Sequence, residues 1–295
     1  MMCGAVAKVM GAPLAVDVRD RYPEVLFSTG VLRSESWIGL LLLKLEKQLY
    51  RSAFLVTTVT STLARAIERD HGIKHVKVIR NGYDPQLFLP DLSLTAPTPQ
   101  QYTIITFGLF GRFFDDHTYA QILARCRLRG IAARFIVVGY GSKFKRLEAL
   151  AASEPALQVH SAVSQQELAA RVATCQLMLS LHVESSSMLG AFPVKVFEAI
   201  GCGLPSLVIP RSEAGQELQS RKMGWTYAAA ELDRIVDRIE MLLIRPELWH
   251  EARQQTLAYR GEYERATQAR RFASELVSGL SQGASRPPAG STPAG

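Results

Sequence analysis

The stretch FPVKVFEAIGCGLP, residues 192–205, predicts a loop, a short helix and the start of a strand. Pro193 suits the first turn of a helix, where its missing N–H costs nothing. Gly201 and Gly203 are typical of a helix end. Residues 204–209 that follow are mostly apolar and predict a buried parallel strand. The stretch is therefore one repeating unit of an α/β sheet.

A cation and a carboxylate stand together on this helix. Lys195 and Glu198 are three residues apart, so they share one helical face. The helix N-terminus presents N–H groups and a partial positive charge, which suit a phosphate. The geometry suggests a nucleoside diphosphate, with its phosphates at the helix start and its hydroxyls at the carboxylate. From the spacing alone, an ordinary surface ion pair between Lys195 and Glu198 is the alternative.

Composition limits the classes of protein to which the chain can belong. A length of 295 residues allows two domains. The net charge of +7 favours an anionic ligand or an anionic membrane surface. Nucleic acid is disfavoured, because no dense Lys/Arg run is interleaved with aromatic residues. The four cysteines lack metal-binding spacing and are typical of core residues in a reducing compartment. No apolar run is long enough for a membrane span, so we expect a cytoplasmic protein.

Alternating strands and helices predict a doubly wound parallel sheet in the second part of the chain. Its predicted strands are residues 102–107, 134–138, 157–160, 177–181 and 204–209. The first part has only three predicted strands, residues 14–18, 54–59 and 76–79.

The predicted domain organisation is uneven. We expect a partial Rossmann-like domain and linker over residues 1–95, and a complete Rossmann-like domain over residues 96–262. The linker is placed at residues 91–101, which are rich in Pro, Ser and Thr. We expect a disordered tail over residues 281–295, which are rich in Gly, Pro, Ser and Ala. Three strands would expose an edge and an apolar face, so the first domain packs on something or belongs to a longer protein.

Two glycine-rich turns follow predicted strands, where ligands bind in open α/β sheets. In the first, Gly108 and Gly111 would let the backbone approach a phosphate, and Arg112 could clamp it with two parallel hydrogen bonds. In the second, Gly139 and Gly141 have the same potential. The alternative for both is a tight connection between a strand and a helix.

Four ordered motifs carry a family resemblance. DVRDRYP (17–23) resembles a D-x-R-D-x-x-P segment, and VIRNGYDPQLF (78–88) resembles a V-I-x-N-G-x-D-x-x-x-F stretch at a domain junction. FIVVGYG (135–141) resembles a strand with its G-x-G turn, and PVKVFEAIGCGLP (193–205) a donor-site helix and strand. Together they make the chain similar to GT-B glycosyltransferases of family 4, also called group 1, of the bacterial polysaccharide type.

This resemblance implies transfer of a sugar from a nucleotide-sugar donor to a glycan or lipid-linked acceptor. It implies retained anomeric configuration, no cofactor, no essential metal and a role in cell-surface polysaccharide synthesis. The complete domain would bind the donor, with Glu198 holding the ribose. The glycines of the two turns would also contact the donor: Gly108, Gly111, Gly139 and Gly141. Arg112 and Lys195 would face the diphosphate as the catalytic residues. The helix over residues 263–280 would cross back to the acceptor-side domain.

The chain departs from the family pattern in three places. Gly190 stands where a second glutamate often lies, eight positions before Glu198. Asp115, Asp116 and His117 stand where a lysine usually follows the arginine. We expect the first half of the acceptor-side domain to be absent, which would leave a truncated domain. A non-catalytic nucleotide-sugar-binding remnant that acts with a partner chain is thus the alternative function. A sugar-nucleotide epimerase would need N-terminal carboxylates and a histidine that we do not find.

Three further side chains have two interpretations each. Arg19 and Asp20 are acceptor-side candidates, or a buried pair between the domains. His182, at a predicted strand end, is a hydrogen-bonded structural histidine or a catalytic one.

The predicted helix over residues 38–50 also has two interpretations. It combines an apolar block with Lys44, Lys47 and the adjacent Arg51. It is either a core helix or a peripheral contact with an anionic membrane, which would place the protein at the inner membrane face.

Overall fold

Two separate parallel sheets organise the chain, in a computed structural model that describes residues 7, 9–20, 22–28 and 30–284. Unit 1 comprises residues 1–80 and 268–295, and unit 2 comprises residues 81–267. Every strand pairing in both sheets is parallel, as the alternating pattern predicts.

Unit 1 has a three-stranded sheet in the order β1-β2-β3. Ala15 of the first strand pairs with Leu55 of the second, and Thr57 of the second pairs with Lys77 of the third. The elements before residue 81 are β1 (Ala15–Val18), α1 (Tyr22–Ser28), α2 (Trp37–Ser52), β2 (Leu55–Thr58), α3 (Ser61–His71) and β3 (Lys77–Val78). All three predicted strands are therefore present, each slightly shorter than expected.

Helix α2 is only partly buried. Ser36 caps its start by accepting a hydrogen bond from the N–H of Gly39 at 3.1 Å. Glu46 and Tyr50 are buried and hydrogen-bonded to each other at 2.7 Å. On the surface, Trp37 is 74% exposed and Leu40 is 58% exposed. The prediction of a core helix thus holds for one face only. None of the helices in the described part of the chain is both long enough and apolar enough to span a membrane.

Unit 2 has a six-stranded sheet in the order β6-β5-β4-β7-β8-β9. Its strands are β4 (Thr103–Leu109), β5 (Arg134–Tyr140), β6 (Leu157–Ser161), β7 (Leu177–Leu181), β8 (Ser206–Ile209) and β9 (Gly224–Thr226). The edge strand β9 is not among the predicted strands, because three residues are too few for a periodic signal.

Helices cover both faces of this sheet. Those of unit 2 are α4 (Asp116–Leu128), α5 (Phe144–Ala151), α6 (Gln165–Ala173), α7 (Ser186–Leu189), α8 (Val194–Gly201), α9 (Glu213–Ser220), α10 (Leu232–Ile244) and α11 (Pro246–Tyr259). The last helix, α12 (Arg265–Ala284), lies mostly in unit 1. Successive residues of a strand point to opposite faces. Ile104 of β4 accordingly belongs to one apolar core and Ile105 to the other. Each buried side chain of this size contributes about 1.5–3 kcal/mol.

The domain boundaries differ from those predicted. The division falls after Arg80, so the predicted linker belongs to unit 2. Arg253 holds that segment by donating to the carbonyl oxygens of Asp91 and Gly203. Residues of α12 from Gln268 onward belong to unit 1. Residues 281–284 of the predicted tail continue α12, and residues 285–295 lie outside the described residues.

Candidate functional site

Helix α8 places the predicted cation and carboxylate on one face. Pro193 stands at its N-cap, one position before the first helical residue. The side chains of Val196 and Phe197 are fully buried. Lys195 and Glu198, on the remaining side, are only partly buried. The apolar positions therefore fix the rotation of the helix, and that rotation leaves both charged side chains accessible to a ligand.

Lys195 is a desolvated cation to which no described residue offers an acceptor. Among the described residues, its ammonium has no hydrogen bond and no ion pair within 4.0 Å. Burial lowers the pKa of Lys195 from 10.5 to about 8, and the charge of Glu198 opposes this effect. A methyl group placed on Gly108 would lie 3.9 Å from Cε of Lys195. The structure thus brings Lys195 to the end of β4, where an anion would relieve the cost of its desolvation.

Glu198 is also without a hydrogen-bond partner in the described part of the chain. Burial raises the pKa of its carboxyl, while the charges of Arg265 and then Lys195 lower it. The ion pair between Lys195 and Glu198 that the spacing allows does not form within 4.0 Å. An ionised carboxylate only accepts hydrogen bonds. Both oxygens of Glu198 are therefore available to hydroxyl groups of a ligand.

Arg265 is a site residue that the sequence does not reveal. Its backbone N–H donates to the carbonyl oxygen of Tyr83 at 2.9 Å. The ring of Tyr83 packs against α8, because a methyl group on Gly201 would lie 2.5 Å from its Cδ2. This packing places the charge of Arg265 near Glu198. No local pattern marks Arg265, because its proximity depends on segments far apart in the sequence.

His182 lies beside Lys195. Its backbone N–H donates to the carbonyl oxygen of Ile209 at 2.8 Å and so extends the pairing of β7 with β8. Burial, and secondly the positive charge of Lys195, lower the pKa of His182 from 6.5 to about 3. The imidazole is therefore neutral at physiological pH, and it adds no positive charge to the site.

The glycines of the two turns differ in what they do. In the sheet register, Gly108 stands opposite Gly139. A methyl group on Gly139 would lie 2.0 Å from the oxygen of Gly108, and one on Gly141 would lie 2.5 Å from the oxygen of Phe110. Gly139 and Gly141 thus let β5 and its turn approach β4 closely. Gly111 has only ordinary contacts, at 3.7 Å or more. The phosphate contacts expected of these glycines stay predictions.

Arg112 projects from the first turn. Its guanidinium lies 4.5 Å from the centre of the Phe113 ring, and the side chain is exposed. Across the described residues it forms no ion pair within 4.0 Å. The guanidinium of Arg112 thus has N–H donors available and is suited to bidentate binding of an anion.

The residues after Arg112, where the family lysine usually stands, have structural partners. Asp115 caps α4 by accepting from the N–H of Thr118 at 3.0 Å. Asp116 pairs with Lys143 at 2.7 Å and with Arg146 at 3.0 Å. Lys143 also donates to the carbonyl oxygen of Phe114 at 2.5 Å. These contacts join the first turn to the second.

The acceptor-side candidates lie in unit 1. Arg19 donates from Nε to Asp17 at 2.6 Å, and Asp17 accepts from the hydroxyl of Thr57 at 2.7 Å. Arg19 and Asp20 are both exposed, so they are not the buried pair that was the alternative. Their role toward an acceptor stays a prediction. Within the described ranges, no cluster of three or more His, Cys, Asp or Glu residues is arranged to hold a metal ion.

Solved structures resemble almost the whole chain. HepE of Anabaena in complex with UDP and glucose matches with a TM-score of 0.68 and 16% sequence identity, over 94% of this chain and 74% of the HepE chain. Sucrose-phosphate synthase of Thermosynechococcus elongatus matches with a TM-score of 0.65 and 14% identity, over 95% of this chain and 72% of the synthase chain. A glycosyltransferase of Rickettsia africae matches with a TM-score of 0.65 and 12% identity, over 95% of this chain and 80% of that chain. At these identities the likeness concerns the fold, and it confirms the predicted α/β, GT-B-like class.

The sequence comparisons address the family. No curated protein is significantly similar in sequence to this chain. The family model described as "Glycosyl transferases group 1" matches residues 105–258, just over half of the chain and most of unit 2. The matched range contains both glycine-rich turns, Lys195 and Glu198. This chain therefore belongs to the glycosyl transferases of group 1.

Proposed function

We propose that unit 2 binds a nucleotide sugar and that the protein transfers the sugar, with retained configuration, to a glycan or lipid-linked acceptor of cell-surface polysaccharide synthesis. The observation that carries this proposal is the pair of partly buried charges on α8, Lys195 and Glu198, which have no hydrogen-bond or ion-pair partner in the described part of the chain. A desolvated ammonium beside Gly108 and a carboxylate one helical turn away match a diphosphate and a ribose.

The chemistry follows from where charge develops during transfer. The bond from the anomeric carbon of the sugar to the diphosphate breaks, and negative charge grows on the leaving diphosphate. An acceptor hydroxyl forms the new bond to the same carbon, and its proton passes to the leaving diphosphate. Arg112, Lys195 and the N–H groups at the start of α8 would stabilise that charge, as preorganised donors do in other active sites. They would supply the electrostatic stabilisation that a metal ion supplies elsewhere. Glu198 would hold the ribose hydroxyls and so orient the diphosphate toward the two cations.

UDP is the first ligand to test, since structures of HepE contain UDP with glucose or UDP-glucose. We expect UDP to bind the parent protein in calorimetric titration. Glu198→Gln should weaken UDP about tenfold or more, because a charge-assisted hydrogen bond contributes about 1.5–3 kcal/mol. Free pyrophosphate should be affected much less, since it has no ribose.

Two variants complete this experiment. Glu148→Gln is the matched control, because Glu148 is an exposed carboxylate of unit 2 on α5. It should bind both ligands as the parent does. Arg112→Ala should weaken UDP, and it should weaken pyrophosphate at the donor site. Unchanged affinity of Glu198→Gln for UDP would show that the ribose is held elsewhere and would overturn the assignment.

An assay of turnover distinguishes a glycosyltransferase from a non-catalytic protein that only binds the nucleotide sugar. The parent should release UDP from UDP-sugars in the presence of a glycan or lipid-linked acceptor, and Lys195→Met should not. Tight binding of UDP-sugars without release of UDP in the presence of any acceptor would instead favour a binding protein that acts with a partner chain.

We also propose that α2 contacts an anionic membrane. The exposed Trp37 and Leu40 provide apolar anchors, and Lys44 and Lys47 lie on the same helix. The parent should sediment with anionic lipid vesicles, and Leu40→Ser should sediment less. Leu128→Ser, at an 81% exposed leucine of unit 2, is the control. Equal sedimentation of the two variants would exclude α2 as the contact.

A further inference from the structure

A cleft of about 630 Å³ lies beside the edge strand β9. It is lined by Arg211, which follows β8, by Trp225 and Tyr227 at the end of β9, and by Arg234 and Arg238 on α10. None of the residues assigned to the donor site lines it. In the sheet order, β9 is separated from β4 and its glycine-rich turn by β7 and β8. The cleft is therefore distinct from the donor site.

Positive charge exceeds negative charge in this cleft. Its lining contains three arginines and no acidic residue. Glu231 is the carboxylate beside it, and it accepts two bonds from one nitrogen of Arg211, at 2.6 and 2.8 Å, and another from Arg234. Arg238 donates from Nε to the hydroxyl of Tyr227 at 3.2 Å and has no carboxylate partner within the described residues. The lining thus has three guanidinium groups, of which those of Arg211 and Arg234 share the carboxylate of Glu231.

The guanidinium groups keep most of their donors unused. Each one binds its described partner through a single nitrogen, whereas a guanidinium has five N–H donors in a planar fork. Arg129, elsewhere in unit 2, uses two nitrogens on two different carboxylates, Asp237 and Glu240. The arginines of the cleft accordingly have donors left for a ligand with several oxyanions.

Aromatic rings hold two of these arginines in place. The guanidinium carbon of Arg238 lies 5.1 Å from the centre of the Trp225 ring, and that of Arg234 lies 5.4 Å from the Tyr227 ring. Tyr227 is buried and Trp225 is partly buried, so the rings are fixed supports. Stacking restricts the arginines before a ligand arrives and so reduces the entropy lost on binding.

We propose that this cleft is a second anion-binding site, which takes a ligand with clustered phosphate oxyanions. Arginine forks match phosphate oxygens in a bidentate manner. The volume is within the range of small-molecule sites, about 300–1,000 Å³, and exceeds the needs of a single phosphate. A soluble phosphorylated compound and a phosphorylated lipid headgroup share this chemistry.

Tryptophan fluorescence offers a direct test, since Trp225 lines the cleft. Pyrophosphate should change the emission of the parent in a saturable manner, and Trp225→Phe should abolish that change. Arg238→Gln should weaken binding about tenfold or more, and Arg211→Gln should also weaken it. Arg245→Gln is the control, because Arg245 is an exposed arginine outside the lining that pairs with Glu247 at 2.7 Å. It should bind as the parent does.

Arg112→Ala separates the two sites. It should leave the fluorescence response to pyrophosphate intact, because Arg112 is not part of the cleft. A response that survives in folded Arg238→Gln and Arg211→Gln but disappears in Arg112→Ala would overturn the proposal, as would a response that never saturates. Folding of each variant is checked by urea denaturation.

Vesicles distinguish the two sources of phosphate. The parent, Arg238→Gln and Arg245→Gln are sedimented with phosphatidylcholine vesicles, with and without phosphatidic acid. If Arg238→Gln alone sediments less with the vesicles that contain phosphatidic acid, the ligand is a lipid headgroup. If the cleft binds pyrophosphate and Arg238→Gln sediments as Arg245→Gln does, the ligand is a soluble compound. If Arg238→Gln matches Arg245→Gln in both the fluorescence assay and the vesicle assay, the cleft binds no phosphate.

Discussion

Replacement of Lys195 by methionine should stabilise the unliganded protein while it weakens ligand binding. Burial lowers the pKa of Lys195 from 10.5 to about 8. At about 1.4 kcal/mol per pKa unit, this corresponds to about 3 kcal/mol of cost to the folded state. The side chain is partly exposed, and screening by water reduces the expected gain to about 1–2 kcal/mol. Methionine has a similar length and carries no charge, so it removes this cost.

The stability gained by Lys195→Met should depend on pH in a defined direction. The folded-state pKa lies below the unfolded value, so at pH below about 8 the lysine is charged in both states and the whole cost is present. As the pH rises from about 8 to 10.5, the folded lysine loses its proton first and the cost falls. The advantage of methionine should thus be largest near pH 7 and small near about pH 10.5.

Urea denaturation at several pH values measures this difference in the free energy of unfolding. Lys145→Met is the matched control, because Lys145 is exposed on α5, and it should change stability by less than about 0.5 kcal/mol. Titration with pyrophosphate should show weaker binding for Lys195→Met only. A Lys195→Met protein that is less stable than the parent near pH 7 would refute the view of Lys195 as a desolvated cation that awaits an anion.

Two further predictions concern the neighbours of this lysine. Gly139→Ala should destabilise the protein by about 3 kcal/mol or more, because the added methyl group would meet the oxygen of Gly108. The control Gly111→Ala should cost less than about 1 kcal/mol. Equal midpoints of the two variants in urea denaturation would contradict the packing role of Gly139. The imidazole resonances of His182, assigned with His182→Gln, should not titrate between about pH 8 and pH 5, because the pKa of His182 is lowered to about 3. In Lys195→Met that pKa should rise, and a midpoint near 6.5 in the parent would show that the imidazole is not desolvated.

Local patterns in the sequence were sufficient for the order of all described strands except β9, and for the face shared by Lys195 and Glu198. Strand β7 occupies the predicted range, Leu177–Leu181, because a short apolar run between helices has few alternatives. Helix α8 ends near Gly201, as predicted, because the signals that end a helix lie within a few residues of it. The three-residue strand β9 and the domain boundary after Arg80 depend on packing, and no local pattern indicates them.

The sequence by itself determined which charged residues share a helix and which turns contain glycine, since both are properties of neighbouring residues. Only the tertiary structure decided that Lys195 and Glu198 do not pair with each other, that Arg265 approaches Glu198, and that three arginines line one cleft beside β9. The physical reason is that desolvation and ion pairing depend on distances between residues far apart in the chain. Those distances exist only after the sheet and its helices have packed.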